Sequence, residues 1–367
     1  MHSDTDALVS VIVPTYNTET YLDQCLSSIE AQTHRNLEII CINDGSTDGS
    51  LAIMRRHAAA DPRVRVIDKE NGGYGAGCNR GIQEARGEWV SIVEPDDYID
   101  PGMYEGMLAL AARFDERIDV VKTPWHQLEC WDDPKTLKVR PCQLKGRVKT
   151  SEKPFTLAEE PCLIQFHPSI WSAIYRRGFL EERGIRFPEY PGAGWADNPF
   201  LVETLCQAEA ILYLDQAYYR YRADLPGSTL NHATPEAVRR PFDRWLCMLD
   251  IIERLGVTDQ GILEAHYVRG FVYADGAAYD DGAENPIVVE GTREVFERMD
   301  EDIVLSSPKL SGPRKKHFCR VRGLPVSGHV TFTRVRYVLQ DAFIYLRIYG
   351  LRDLLDRVRN RLFGRRR

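Results

Sequence analysis

Several things are missing from this chain of 367 residues. No run approaches the roughly 20 consecutive apolar residues that a membrane-spanning helix needs. The opening stretch, MHSDTDALVSVIVP, is acidic before its apolar run, the reverse of a secretory leader, which predicts a chain that stays in the cytoplasm. Its nine cysteines form no C-x-x-C pair, which argues against a structural zinc site and for reduced thiols. There is no G-x-x-x-x-G-K-[ST] loop for a nucleoside triphosphate. The one glycine cluster, Gly75-x-Gly77-x-x-x-Gly81, follows the third predicted strand instead of the first, so it is a weak dinucleotide fingerprint. Positive charge is short overall, with a formal net of -7. It collects at the end: residues 330–367 hold ten arginines against three aspartates, +7, leaving -14 for residues 1–329. An acidic body repels a polyanion, and no nucleic-acid motif accompanies the basic run, so no nucleic-acid partner is expected.

What is present is an alternation. LVSVIVP (8–14), LEIICIN (37–43), VRVID (64–68) and WVSIV (89–93) are short β-branched runs of the kind buried on both faces. Between them lie helical stretches. Leu22, Cys25, Leu26 and Ile29 share a face behind a Thr18 cap, Ser46 and Asp48 precede a second helix, and residues 75–87 form a third; Pro101 opens a fourth. Strand–helix alternation predicts an α/β fold, a mostly parallel Rossmann-like sheet with helices on both faces, whose ligands sit beyond the carboxyl ends of the strands. At those ends stand Pro14-Thr15-Tyr16-Asn17, Asn43-Asp44-Gly45-Ser46, Asn71-Gly72-Gly73-Tyr74-Gly75 and Glu94-Pro95-Asp96-Asp97. Adjacent carboxylates leaving a buried strand are tolerable beside a hard divalent cation, Mn2+ or Mg2+, which prefers oxygen ligands and bridges to phosphates. The same aspartates before Pro101 also suit a helix start. Asp197, at the head of an amphipathic helix, reads either as a cap or as a general base.

VSVIVPTYNTETYLDQCLSSIEAQTH, IICINDGSTDGS, NGGYGAGCNRGI and VSIVEPDD, taken in order, resemble the N-terminal motifs of family 2 glycosyltransferases, inverting enzymes of GT-A fold. The resemblance is close over residues 8–110. It implies a nucleotide-diphosphate-sugar donor, commonly a UDP-sugar, across this sheet edge, with Pro14, Tyr16 and Asn17 lining the nucleoside pocket and Asp44 accepting from the base. It puts Gly73 and Asn79 near the ribose or sugar. Glu94-x-Asp96-Asp97 becomes the D-x-D-type motif, with glutamate in the first place, Asp96 and Asp97 holding the metal and Glu94 and Asp96 facing the donor. Ala196-Asp197-Asn198-Pro199-Phe200 matches the Asp and Phe of the family's Glu-Asp-x-x-Phe motif and implies that Asp197 is the catalytic base; alanine replaces the glutamate. Arg222 and Ser228 are then expected at the diphosphate, and Trp171 and Trp195 on the acceptor side, with Ala173 where a lysine is common.

The expected organisation is a catalytic domain over 1–235, a helical appendage and linker over 236–329, and a basic amphipathic helix over 330–367, with proline and glycine between 306 and 328 read as linker. The last helix suits an anionic membrane surface, at the inner face of the plasma membrane, or alternatively domain packing or a homodimer. The implied function is transfer of a sugar to a glycan or lipid-linked acceptor in cell-surface polysaccharide synthesis. The rivals are a non-catalytic sugar-nucleotide or glycan-binding module on the same fold and, further off, a sugar-nucleotide pyrophosphorylase.

Overall fold

The computed structural model describes residues 4–223, 225, 234–326, 334–340, 342–344, 346–347 and 350–351. Its elements run β1 (Val9–Thr15), α1 (Glu19–Glu30), β2 (Leu37–Asp44), α2 (Ser50–Ala60), β3 (Val64–Lys69), α3 (Tyr74–Glu84), β4 (Trp89–Ile92), β5 (Tyr98–Ile99), α4 (Met103–Ala111), β6 (Val120–Lys122), β7 (Trp125–Glu129) and β8 (Lys138–Pro141). They continue with β9 (Ala173–Arg176), α5 (Arg177–Glu182), α6 (Asp197–Gln207), β10 (Ile211–Tyr213), β11 (Tyr219–Arg222), α7 (Pro235–Arg254), α8 (Gln260–Ala277), α9 (Pro286–Glu297), α10 (Glu301–Ser306) and α11 (Gly312–Arg322).

Every residue of β1 and β2 is buried, as continuous apolar strands covered on both faces must be. The main sheet has seven strands in the order β10-β6-β9-β4-β1-β2-β3. All its pairings are parallel except those of β9, which runs antiparallel between β4 and β6. The α/β expectation is met, with helices against a mostly parallel sheet. Register explains why the strand ends act together. Thr15 lies opposite Asn43, Asn43 opposite Asp68 and Asp44 opposite Lys69, so β1, β2 and β3 end at one edge. A second sheet of four strands, β5-β11-β7-β8, stands beside that edge. β11 pairs antiparallel with β5, directly after the acidic run, and so ties the two halves of the site.

Helices α7 to α11 form the C-terminal region. On α7 the buried residues Val238, Phe242, Trp245, Leu249 and Ile252 recur at helical spacing, facing α6, α8 and α9. Each such large apolar side chain contributes about 1.5–3 kcal/mol on full burial. The linker expected between 306 and 328 is instead mostly helix. Its proline and glycine are the boundaries of α11: Pro313 lies in the first turn, where its missing N–H costs nothing, and Gly323 takes the left-handed cap at φ 67°. Phe318 and Cys319 of α11 are buried. All nine cysteines are free. No helix among the described residues is long and apolar enough to cross a membrane. Most of the basic helix expected over 330–367 lies outside the described residues; residues 334–340 are helical.

Candidate active site

Beyond Ile92 the chain leaves β4 and turns through Glu94, Asp96 and Asp97 at the carboxyl end of that strand. The Tyr74 hydroxyl at the head of α3 donates to Glu94 Oε1 at 2.5 Å, and the Glu94 N–H donates to the Tyr219 hydroxyl at 3.0 Å. Asp97 is buried. Its Oδ1 accepts the Arg222 backbone N–H at 2.8 Å, its Oδ2 is buried with no hydrogen bond of ordinary geometry among the described residues, and the nearby Tyr219 hydroxyl favours its charged form. Burial and the charge on Asp96 push the Glu94 carboxyl up to about 8. Burial also raises Asp96, and raises Asp97 well above the usual range, with Asp96 adding to it. Three carboxylates that resist ionisation together are short of positive charge.

The fourth carboxylate comes from another part of the chain. Asp197 opens α6, and burial raises its pKa while the charge of Arg269 opposes the rise. Its charge is felt at Tyr74, Glu94 and Tyr221, so it lies near the acidic run after β4. Trp195, just before it, is half-buried with φ 55° and its ring 5.8 Å from that of Tyr273.

The remaining expected residues divide by what their polar atoms touch. At the end of β1, Pro14 is buried and Tyr16 is 51% exposed, a free aromatic face over the edge. Asn17 adopts φ 53° and ties β1 to the turn after β2, its Oδ1 accepting the Thr47 N–H at 2.8 Å. Asp44 is fully engaged by protein: it accepts from Lys69 Nζ, from the Gly72 N–H at 2.9 Å and from the Gly73 N–H at 2.8 Å.

Asn79 departs from its expected place near the sugar, because all its hydrogen bonds clamp one segment: it accepts the Phe187 N–H at 2.8 Å and donates to the Phe187 carbonyl and to Glu189 Oε1, each at 2.9 Å. The glycine turn serves the same segment. A Cβ on Gly73 would lie 2.4 Å from the Tyr190 carbonyl oxygen, and one on Gly75 would lie 2.2 Å from that of Pro188.

Arg222 is also placed differently from the diphosphate contact expected of it. It is 4% exposed, its guanidinium donates to the Asp96 carbonyl and to Gln24, and it lies over the rings of Tyr21, Tyr98 and Trp131 at 5.0–5.4 Å. Trp171 is 3% exposed and stacked on Tyr219 at 3.9 Å, so it packs within the protein and presents no face to an acceptor. Ser228 lies outside the described residues.

Sequence reasoning missed several neighbours. Lys122 is buried in β6 in register with Ala173, the position where a lysine had been expected, and its Nζ donates to the Ser169 carbonyl at 2.7 Å and to Ser169 Oγ at 3.0 Å. Burial pushes this lysine down to about 7. Asn198, Arg269 and Tyr273 were also missed. The available signal was an arginine inside the otherwise apolar run VRGFV (268–272), since a buried arginine demands partners.

No group of three or more His, Cys, Asp or Glu side chains is arranged to hold a metal among the described residues. The donor set nonetheless fits a hard divalent cation. Asp97 Oδ2 is buried with no hydrogen bond of ordinary geometry among the described residues, the nearby carboxylates are all raised, and Mg2+ or Mn2+ commonly uses one or two carboxylates and completes its shell with phosphate and water.

Residues 10–184 match the model of glycosyl transferase family 2. The chain is 33% identical over 215 residues to the uncharacterized glycosyltransferase EpsJ of Bacillus subtilis, covering 59% of this chain and 61% of that protein, so it spans about three fifths of that relative's length. Among solved structures it resembles S. aureus TarS 1-349 in complex with UDP-GlcNAc, with TM-score 0.68, 22% identity and coverage of 86% of this chain and 87% of that one. It also resembles the mannosyltransferase PcManGT from Pyrobaculum calidifontis in complex with GDP-Man and Mn2+, with TM-score 0.50, 16% identity and coverage of 86% and 85%. The ordered strand-end motifs and the sheet that gathers them agree with the family match, and residues 10–184, a little under half of the chain, are similar to glycosyl transferase family 2.

Proposed function

We propose that this protein transfers a sugar, with inversion, from a nucleotide-diphosphate donor to a hydroxyl of a glycan or lipid-linked acceptor in polysaccharide synthesis. One observation carries the reading: Glu94, Asp96 and Asp97 follow the end of β4, Asp197 lies near enough for its charge to act on Glu94, and all four carboxyls are raised. A UDP-sugar is the donor of choice, supported by the family and by the UDP-GlcNAc complex of the similar TarS. Its nucleoside lies against the exposed ring of Tyr16, with buried Pro14 supporting the turn beneath. Asp96, with Asp97 Oδ2, would hold Mn2+ or Mg2+, which when bound offsets the diphosphate charge and stabilises it as a leaving group.

Asp197 takes the proton of the acceptor hydroxyl as its oxygen attacks the anomeric carbon. The new C–O bond forms on the face opposite the diphosphate, the old one breaks, and the nucleoside diphosphate departs with the electron pair. Burial suits Asp197 to this work, because a raised pKa makes a stronger base. Half-buried Trp195, beside the base, borders the acceptor. The basic stretch 330–367 brings the enzyme to an anionic membrane face, where a lipid-linked acceptor would be presented.

The test is Asp197→Asn assayed on a panel of nucleotide sugars with Mn2+, after a thermal-shift screen to find the donor. Turnover should fall on the order of 10²-fold or more with donor affinity unchanged. Wild-type turnover in the variant removes Asp197 from the mechanism, and donor binding without any transfer by the wild-type protein supports the non-catalytic module instead.

A further inference from the structure

Asp197 is not held by its own domain alone. Its Oδ1 accepts a hydrogen bond from Asn198 Nδ2 at 3.0 Å. The Asn198 carbonyl oxygen in turn accepts from Arg269 Nη2 and from the Tyr273 hydroxyl at 2.8 Å, both on α8 of the C-terminal region. Arg269 and the tyrosine hydroxyl hydrogen are donors here, so they fix the amide with its oxygen toward α8 and its NH2 toward the carboxylate. Arg269 is 2% exposed, and its other groups are also engaged: Nη1 donates to the Ile164 carbonyl at 3.1 Å and Nε to the Tyr273 hydroxyl at 3.0 Å. The helix cannot easily slide. A Cβ on the neighbouring Gly270 would meet Met299 Cε at 2.6 Å and Trp245 Nε1 at 2.7 Å, so α8 is pressed against α7 at this level.

We infer that Arg269, acting through Asn198, is a positioning residue for the reaction: it orients the Asp197 carboxylate and supplies a positive charge that favours its ionised form, making α8 part of the catalytic apparatus. This rests on the reading of Asp197 as the base. The motif glutamate absent at Ala196 would have added a negative charge beside the aspartate; here the supporting charge is positive and comes from a helix about 70 residues further on. The titratable groups around Asp197 are Glu94 after β4, Tyr74 and Cys78 on α3, Tyr175 on β9, Tyr221 on β11 and Tyr273 on α8. None of these is a cation, which leaves Arg269 as the named positive charge acting on the carboxyl.

The experiment is a kcat–pH profile of the full chain with its donor and Mn2+, for wild type, Arg269→Met, Arg269→Lys and Asn198→Ala. Removing the charge raises the base's pKa, so the acid limb of Arg269→Met should move to higher pH. Its kcat at neutral pH should fall by at least about tenfold, as expected when a reacting group is misplaced, while the donor KM stays within about twofold of wild type. Arg269→Lys should bring the limb part of the way back. An acid limb that stays put in Arg269→Met, or a loss carried wholly by donor KM, overturns the inference. Should Arg269→Met fail to fold by circular dichroism, Asn198→Ala decides: it keeps the arginine and breaks the link, and an unchanged kcat overturns the inference. The two readings fail separately. An active Asp197→Asn refutes the base itself, whereas an inactive Asp197→Asn beside an Arg269→Met with a wild-type limb refutes only the relay.

Discussion

Replacing Gly75 with alanine asks what the glycine turn is for. If the turn exists to let backbone approach backbone, Gly75→Ala damages the protein with no ligand present. A Cβ there would sit 2.2 Å from the Pro188 carbonyl oxygen and 3.1 Å from its carbon, so the segment leading to Asp197 must retreat by close to an ångström. Overpacking of this kind costs about 1–3 kcal/mol or more, of which the better helix propensity of alanine returns about 0.5–1. A net loss of about 2 kcal/mol, spread over an unfolding entropy of about 0.8 kcal/mol/K for a chain of 367 residues, lowers Tm by about 2–3 °C in a single cooperative transition. Gly77→Ala is the control. On the same helix its Cβ would meet Pro14 Cβ at an ordinary 3.5 Å, so Tm should hold or rise by about 1 °C. Differential scanning calorimetry of both variants without ligand measures the gap. If Gly75→Ala melts at or above wild type but loses affinity for the nucleotide sugar, the turn serves the diphosphate and the reasoning is refuted.

Lys122 should make stability rise with pH in an unusual window. Its folded pKa lies near 7 against 10.5 for an exposed lysine, so the unfolded state binds more protons between those values and stability climbs by at most about 1.4 kcal/mol per pH unit. Lys122→Met should flatten that rise in urea titrations between pH 7 and 10, and an unaltered slope would show that the lysine is charged in the fold. Chelation with EDTA should abolish transfer and Mn2+ or Mg2+ restore it; full activity in EDTA would defeat the metal role of Asp96 and Asp97.

The sheet was legible because its strands are apolar on both faces, a pattern few other structures produce, and because the polar residues at their ends mark an edge by themselves. The roles of single side chains were less so. Asn79 and Arg222 carry polar groups of the kind that would suit a ligand, and nothing local reveals that those groups are spent on residues 187–189 and on Asp96 and Gln24. Trp171 reads as a sugar platform until β11 lays Tyr219 over it. The second sheet was invisible because its partners β5 and β11 are short and about 120 residues apart. Proline and glycine around α11 misled for a definite reason: the same residues that interrupt a helix also begin and end one.

The placement of β9 has a consequence for how the chain is made. β4 and β6 are separated in sequence only by α4 and by β5, which joins the other sheet, yet they do not pair; the strand between them is translated some fifty residues after β6. Until it arrives on the ribosome, the growing sheet is β4-β1-β2-β3 with an unpaired flank at β4, and β6 stands alone, an arrangement that invites mispairing. The family match ends at residue 184, just past the point where that strand and α5 are complete. Truncations stopping before residue 173 should accordingly aggregate, while nascent chains that have cleared the exit tunnel to about 185 have for the first time a continuous sheet to fold around.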